Sequence, residues 1–313
     1  MIAAQESSLA SVVRVNVFPG VQNLPLFAGL ARGFFANHGL EVELQFTPNS
    51  QTQRDGLSQG LFEIAHAAVD NAVAMVEMAG AQVVIVLGGD SSMNELLVQP
   101  YIGSIADLRE KTVIVDALNT AYALQLKKIF LMHGLKADRD YTVVPVGGTD
   151  KRFEAMLKNR DYAASMLFPP YSILAKREGL RSLGLAVDLL GPYQGTGAFV
   201  LRKWAEGHVD TVVRYIQAYV ESLRWGLDEA NGKDAVDLLA SQMELPLEIA
   251  KKSYERLTDP ATGLTPDARF DMDGFKNVLA LRAEIEGQWG GRVPGAEKYY
   301  DLRCYQHALE TLM

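Results

Sequence analysis

Along the first 190 residues, short apolar or alternating runs take turns with stretches whose apolar positions fall three and four apart. Period-two alternation marks a strand in a sheet, and three-to-four spacing marks one buried face of a helix. Val12 to Phe18 reads as a strand, Leu24 to Asn37 as a helix closed by Gly39, Leu40 to Thr47 as a strand and Gln51 to Gln59 as a polar helix. Phe62 to Ala67 is a third strand, Asp70 caps a helix through Met78, and Gln82 to Leu87 is an almost wholly apolar fourth strand. Strands and helices in regular alternation are the signature of a parallel α/β layer.

The arrangement then repeats. Thr112 to Asp116 is a strand, Thr120 to His133 a helix, Tyr141 to Val146 a strand and Thr149 to Asn159 a helix, followed by the strand Tyr162 to Leu167 and the helix Pro169 to Arg177. His38-Gly39-Leu40 closes the first helix of one half, and His133-Gly134-Leu135 closes the first helix of the other. Both tripeptides fit a helix C-terminus, with glycine in the left-handed conformation, and neither histidine is taken as a site residue. The pattern predicts two similar α/β lobes: residues 1–95 with 196–313, and residues 96–190.

Beyond Leu190 comes a glycine-rich connection, Gly191 to Gly197, whose residues 191–195 are the expected return hinge. Ala198 to Leu201 is a short strand, and nearly everything after Trp204 reads as helix, a tail of about five expected to pack on the first lobe. Glu95 to Gln99 is the candidate outgoing crossover and Ala198 to Leu201 the return. Two crossovers between two lobes make a hinge with a cleft.

A formal net charge of -8 and a pI near 5.2 argue against nucleic acid as a partner, since that binding draws on Lys and Arg at phosphates. Residues 96–190 hold 13 Lys/Arg against 10 Asp/Glu and the rest hold 17 against 28, a contrast that an acidic helical tail explains. The single cysteine, Cys304, excludes an intramolecular disulfide and sits in no Cys/His cluster, so no metal and no cofactor is expected. The opening MIAAQESSLAS has neither the basic nor the apolar region of a secretory leader.

In open α/β sheets ligands bind beyond the carboxyl ends of strands, where loops meet helix N-termini. The strand ends offer Phe18, Gln22 and Asn23; His66 followed by Asp70 and Asn71; and Ser91 and Ser92 after Gly88-Gly89-Asp90. In the second half they offer Asn119 and Thr120 with Tyr122, then Gly147-Gly148-Thr149, then Phe168 and Tyr171, and the return crossover adds Tyr193, Gln194 and Thr196. Amides, hydroxyls, one imidazole and several rings suit a cleft for a small organic solute, aromatic or acidic, flat or partly apolar with a polar or acidic group. Asp70, Ser92, Asn119 and Thr149 equally suit helix caps, Phe168 and Tyr171 suit interlobe packing, and His66 suits a hydrogen-bonded structural role. No GxSxG, GxxxxGK[ST] or HExxH motif occurs, and no GxGxxG opens the first helix, so no catalytic residue is nominated.

The segments LPLFAGLARGFFANHGLEVEL, QGLFEIAHAAVDNAVAM, IGSIADLREKTVIV and NTAYALQLKKIFLMHGLKADRDYTVVPV resemble the type II periplasmic solute-binding proteins of the sulfonate/taurine/nitrate ABC-importer family, a superfamily that includes the thiamine-pyrimidine synthases. Glu63 stands where that pattern has Asp, and Glu110 where it has Gly. The resemblance implies a solute held between two lobes and delivered to a membrane permease by a monomer. It implies ligand contacts, by position, at Gln22, Asn23, His66, Ser91, Asn119, Thr120, Phe168 and Gln194. It also implies a periplasmic or lipid-anchored location, the usual leader having been removed or trimmed from this sequence. Enzymes on the same fold, of the thiamine-pyrimidine or menaquinone-pathway type, are the rival reading, and the synthases' cysteine-rich cluster has no counterpart in a chain with one cysteine.

Overall fold

The computed structural model describes residues 10–312; the first nine residues of the opening in which no leader is read lie outside them, as does Met313. Strand β1 (Ser11–Val17) is followed by helices α1 (Leu24–Ala31) and α2 (Phe34–Asn37), then β2 (Leu40–Phe46), α3 (Ser50–Ser58), β3 (Ile64–Ala68), α4 (Asp70–Ala79) and β4 (Val83–Leu87). β1 pairs in parallel with β2 on one side and β3 on the other. Its Val13, Val15 and Val17 are fully buried, as expected where helices cover a parallel sheet.

The expected single helix over Leu24 to Asn37 is two helices. Gly33 adopts φ 77°, a left-handed conformation that ends the first, and the chain restarts as α2. The apolar spacing survives the break because both pieces bury a ring, Phe27 and Phe35, in the same core.

The chain then crosses over as β5 (Glu95–Val98) and builds β6 (Thr112–Val115), α5 (Ala121–Met132), β7 (Thr142–Pro145), α6 (Thr149–Lys158), β8 (Tyr162–Leu167), α7 (Tyr171–Arg177), β9 (Arg181–Leu185) and α8 (Ala186–Leu190), before returning as β10 (Thr196–Leu201). Two five-stranded sheets result, ordered β2-β1-β3-β10-β4 and β7-β6-β8-β5-β9. Both crossover strands run antiparallel to their neighbours, β10 between β3 and β4 and β5 between β8 and β9. The sequence pattern gave no reading for β9: it is an edge strand with Arg181 and Ser182 exposed and Gly184 at φ 134°, so it neither alternates nor forms an apolar run.

The tail contains α9 (Arg202–Gly207), α10 (Val209–Leu227), α11 (Gly232–Gln242), α12 (Leu247–Leu257), α13 (Met272–Glu286) and α14 (Arg303–Thr311). α10 buries Val212, Tyr215, Ile216, Tyr219 and Leu223 in the core shared with β1 and α1. The tail is not confined to the first lobe. α12 also meets α7, and α13 lies on α5, with Lys127 and Lys128 paired to Glu286 and Glu284 at 3.0 and 2.6 Å. His38 and His133 occupy the C-caps of α2 and α5, each followed by a left-handed glycine, Gly39 and Gly134.

Gly197 shows how tightly β10 is seated. A Cβ there would lie 2.6 Å from the Leu87 carbonyl oxygen and 2.8 Å from Val69 Cγ1. Backbone cannot retreat as a side chain can, so Gly197→Ala is expected to cost about 1–3 kcal/mol of stability in urea unfolding. A loss within a few tenths of a kcal/mol would mean the sheet opens there freely.

Candidate functional site

The two connections between lobes run side by side and are tied together by one carboxyl group. Asp90 accepts from the Ser92 N–H at 2.7 Å, from the Thr196 N–H at 3.4 Å and from the Thr196 hydroxyl. Its backbone carbonyl accepts from the Gly195 N–H at 2.8 Å. A Cβ on Gly195 would stand 2.2 Å from Asp90 Oδ1, so only glycine admits this approach. Burial pushes the Asp90 carboxyl above its ordinary range, and the bonds from Thr196 and Ser92 pull it back.

Between the sheets, at the carboxyl ends of their strands, lies a cavity open on one side to solvent. The first lobe contributes Phe18, Gln22, Asn23, Ser50, His66 and Asn71; the second contributes Asp116, Thr120, Tyr122, Thr149, Arg152 and Phe168. Thr196 comes from the return strand and Tyr219 from α10. The lobes touch across it. Ser50 Oγ donates to Asp116 Oδ2, the Gly148 N–H donates to the Pro48 carbonyl at 3.0 Å, and Arg282 donates to the Asn119 carbonyl at 3.3 Å.

Seven of the fourteen residues nominated from the sequence line this cavity: Phe18, Gln22, Asn23, His66, Thr120, Phe168 and Thr196. Asn23 Nδ2 donates to the Phe18 carbonyl at 2.8 Å, holding the loop that follows β1. Phe168, at the end of β8, meets Tyr122 edge to face at 6.1 Å. His66 stacks on Tyr219 at 5.0 Å, and its Nε2 shares a 2.8 Å hydrogen bond with the Tyr215 hydroxyl.

The other seven are occupied elsewhere. Asp70 does not cap its helix, since Val69 holds the cap position; its carboxylate pairs with Arg282 at 2.7 Å, both side chains 1% exposed. Ser91 faces a surface groove beside Pro260 and Thr265. Ser92 is buried, its Oγ accepting from Asn94 and Gln125 at 3.1 and 3.2 Å. Asn119 gives its amide to Met78 Sδ at 3.4 Å, because Thr120 takes the cap position of α5 and carries Asn119 past the cleft. Tyr171 leans on Phe153 at 6.0 Å. Tyr193 is buried in the core with Phe270 and Phe275. Gln194 braces the return connection, donating to the Thr196 carbonyl at 2.7 Å and accepting from the Asp271 N–H at 2.6 Å.

Asn71, Tyr122, Gly148 and Thr149 lay in strand-end loops that the sequence brought forward, without being singled out. Ser50, Asp116, Arg152 and Tyr219 were not singled out at all. Asp116 directly follows β6, so strand-end logic would have found it; Tyr219, in the middle of a tail helix, reaches the cavity only through long-range packing.

Burial sets the electrostatics. With little solvent to stabilise a charge, the His66 imidazole is pushed down to about 3, so it is neutral at physiological pH. The Tyr122 and Tyr219 phenols are pushed up chiefly for the same reason. Burial also lowers the Arg152 guanidinium, which is 1% exposed and donates to Ser165 Oγ, Thr149 Oγ1 and the carbonyls of Gly147 and Met166. Among the described residues no cluster of three or more His, Cys, Asp or Glu is placed to hold a metal, and no helix is long and apolar enough to cross a membrane.

A family model described as the NMT1-like family matches residues 8–240. The chain belongs to that family. No curated protein matches this NMT1-like chain in sequence. Solved structures do match. A protein from Bordetella bronchiseptica RB50 superposes with a TM-score of 0.81 at 17% identity, over 96% of this chain and 98% of that one. The periplasmic nitrate-binding protein NrtA from Synechocystis PCC 6803 gives 0.78 at 13% identity, over 97% and 89%. The alkanesulfonate-binding protein SsuA from Xanthomonas axonopodis pv. citri, bound to MOPS, gives 0.72 at 17% identity, over 93% and 98%. At these identities the likeness speaks to fold: this NMT1-like protein has the two-lobed α/β fold of periplasmic binding proteins.

Proposed function

We propose that this NMT1-like protein is the solute-binding component of an ABC importer, working outside the cytoplasm as a monomer and handing a small organic solute to a membrane permease. The observation that carries the reading is the cavity between the sheets, to which both lobes contribute polar side chains. A solute that touches both lobes favours the closed form by its difference in affinity between the two states, and that difference is all the switch requires. The permease then senses shape, and no bond need be made or broken. The solved neighbours named for nitrate and alkanesulfonate binding lend support through their common fold.

Small-angle scattering with and without solute tests the proposal. The expected result is a smaller radius of gyration at saturating solute, with the solute recovered unchanged. Conversion of the solute to a product would favour an enzyme, and binding without compaction would remove the closure argument.

A further inference from the structure

Resting on that binding reading, we infer that the cavity recognises a solute through hydrogen bonds the solute donates, an amide- or amine-type head set against Asp116, Ser50 and Asn71, with a flat body among the aromatic rings. The decisive feature is where the hydroxyl hydrogens go. Thr120 gives its hydrogen to the Ala117 carbonyl at 3.0 Å, an oxygen that can only accept. Ser50 gives its own to Asp116, and Thr196 to Asp90. Each hydroxyl bears one hydrogen, so three of the cavity's hydroxyls are left with lone pairs to offer.

Two amide oxygens and a carboxylate add to these acceptors, while the Thr149 hydroxyl, which accepts from Arg152, keeps its hydrogen to donate. Asn71 is 2% exposed, lines the cavity, and its Oδ1 has no partner; the buried Oε1 of Gln22 is likewise without one. Asp116 is 8% exposed and, among the described residues, accepts only from Ser50, through its hydroxyl and, at 3.5 Å, its N–H. A carboxylate has about four lone-pair sites, so Asp116 retains capacity. Arg152 is the counterweight, but four of its five N–H donors are already spent on the protein. An oxyanion here would face the Asp116 carboxylate, whereas an N–H donor fills its free lone pairs, and a buried acceptor left unfilled costs free energy. The rings of Phe18, Tyr122, Phe168 and Tyr219 form the walls for the rest of the solute.

The test uses thermal shift and calorimetry on the whole protein with two sets of probes: benzamide and benzylamine as donors, and benzoate, nitrate and methanesulfonate as anions without an N–H. Stabilisation by a donor probe above every anion is expected, and the two donors separate a neutral amide head from a charged amine. Asp116→Asn should weaken the better donor on the order of tenfold or more, the loss of one buried hydrogen bond. Ser50→Ala removes the interlobe bond but keeps the carboxylate, and should cost less than Asp116→Asn. Greater stabilisation by an anion, no shift with either donor, or equal losses in the two variants would overturn the inference. The binding-protein reading fails separately: an anion that compacts the molecule in scattering leaves it standing and sinks only the donor head, while a donor that binds without compaction does the reverse.

Discussion

Replacing Arg282 by methionine is expected to cost about 3–5 kcal/mol of folding stability, the penalty for stranding one member of a buried ion pair. Arg282 meets Asp70 Oδ1 at 2.7 Å with 1% of each side chain exposed, and among the described residues Asp70 Oδ2 has no hydrogen-bond partner. Methionine fills similar space but leaves the Asp70 carboxylate without water and without its hydrogen-bonded cation, Arg54 being within Coulombic reach only. Arg282 also donates to Gln288 Oε1 at 2.8 Å and to the Asn119 carbonyl, so its removal loosens α13 against the second lobe as well. Denaturant unfolding should show the loss, and the melting temperature should fall by about 10 °C. The double variant Asp70→Leu/Arg282→Met removes both charges and should recover most of the stability, because paired desolvation nearly cancels paired attraction. If Arg282→Met loses less than about 1 kcal/mol, water reaches Asp70 and the pair is not buried in solution.

The second large effect is on acid stability. His66 titrates near 6.5 when unfolded, but in the folded protein burial holds it down to about 3. Below pH ~6.5 the unfolded chain takes up a proton that the folded chain refuses. The stabilisation tied to neutral His66 is therefore complete above that pH and is lost as pH falls toward 3, at up to about 1.4 kcal/mol per pH unit. Carboxylates titrate in the same range, so the measurement is a difference. Unfolding free energies at pH 7.5, 6.5, 5.5 and 4.5 are compared between the wild type and His66→Gln, roughly 2–3 kcal/mol of extra acid sensitivity being expected in the wild type at the lowest pH. Parallel curves would mean that the imidazole reaches solvent. Tyr215 and Tyr219, which flank the ring, remain uncharged across that range, since burial pushes both phenols upward.

Much of the architecture was legible because strands and helices here obey simple periods. Val83–Leu87 is apolar on both faces, Ile64–Ala68 is so except at His66, and α5 carries its buried Leu126, Ile129 and Phe130 at helical spacing. The failures have local causes. Gly33 divides one amphipathic pattern into two helices, and β9 has too little buried surface to impose alternation. The site was half legible for a different reason. Strand-end logic finds the loops, but it does not say which side chain of a loop turns inward. Asn119 and Thr120 are neighbours, and the cap geometry of α5 sends one to Met78 and the other to the cavity. Asp70 and Asn71 divide in the same way, Asp70 drawn to Arg282, a partner 212 residues away that no local pattern announces.

The order of strands in the first sheet also bears on how the chain is made. β4 touches that sheet through β10, and β10 is synthesised only after the whole second sheet. On the ribosome the second sheet can assemble from one unbroken stretch, while β4 waits, apolar on both faces and without a neighbour, for a strand more than a hundred residues downstream. That interval is when nascent chains are most exposed to mispairing, and it identifies Val83–Leu87 as the segment for a chaperone to shield.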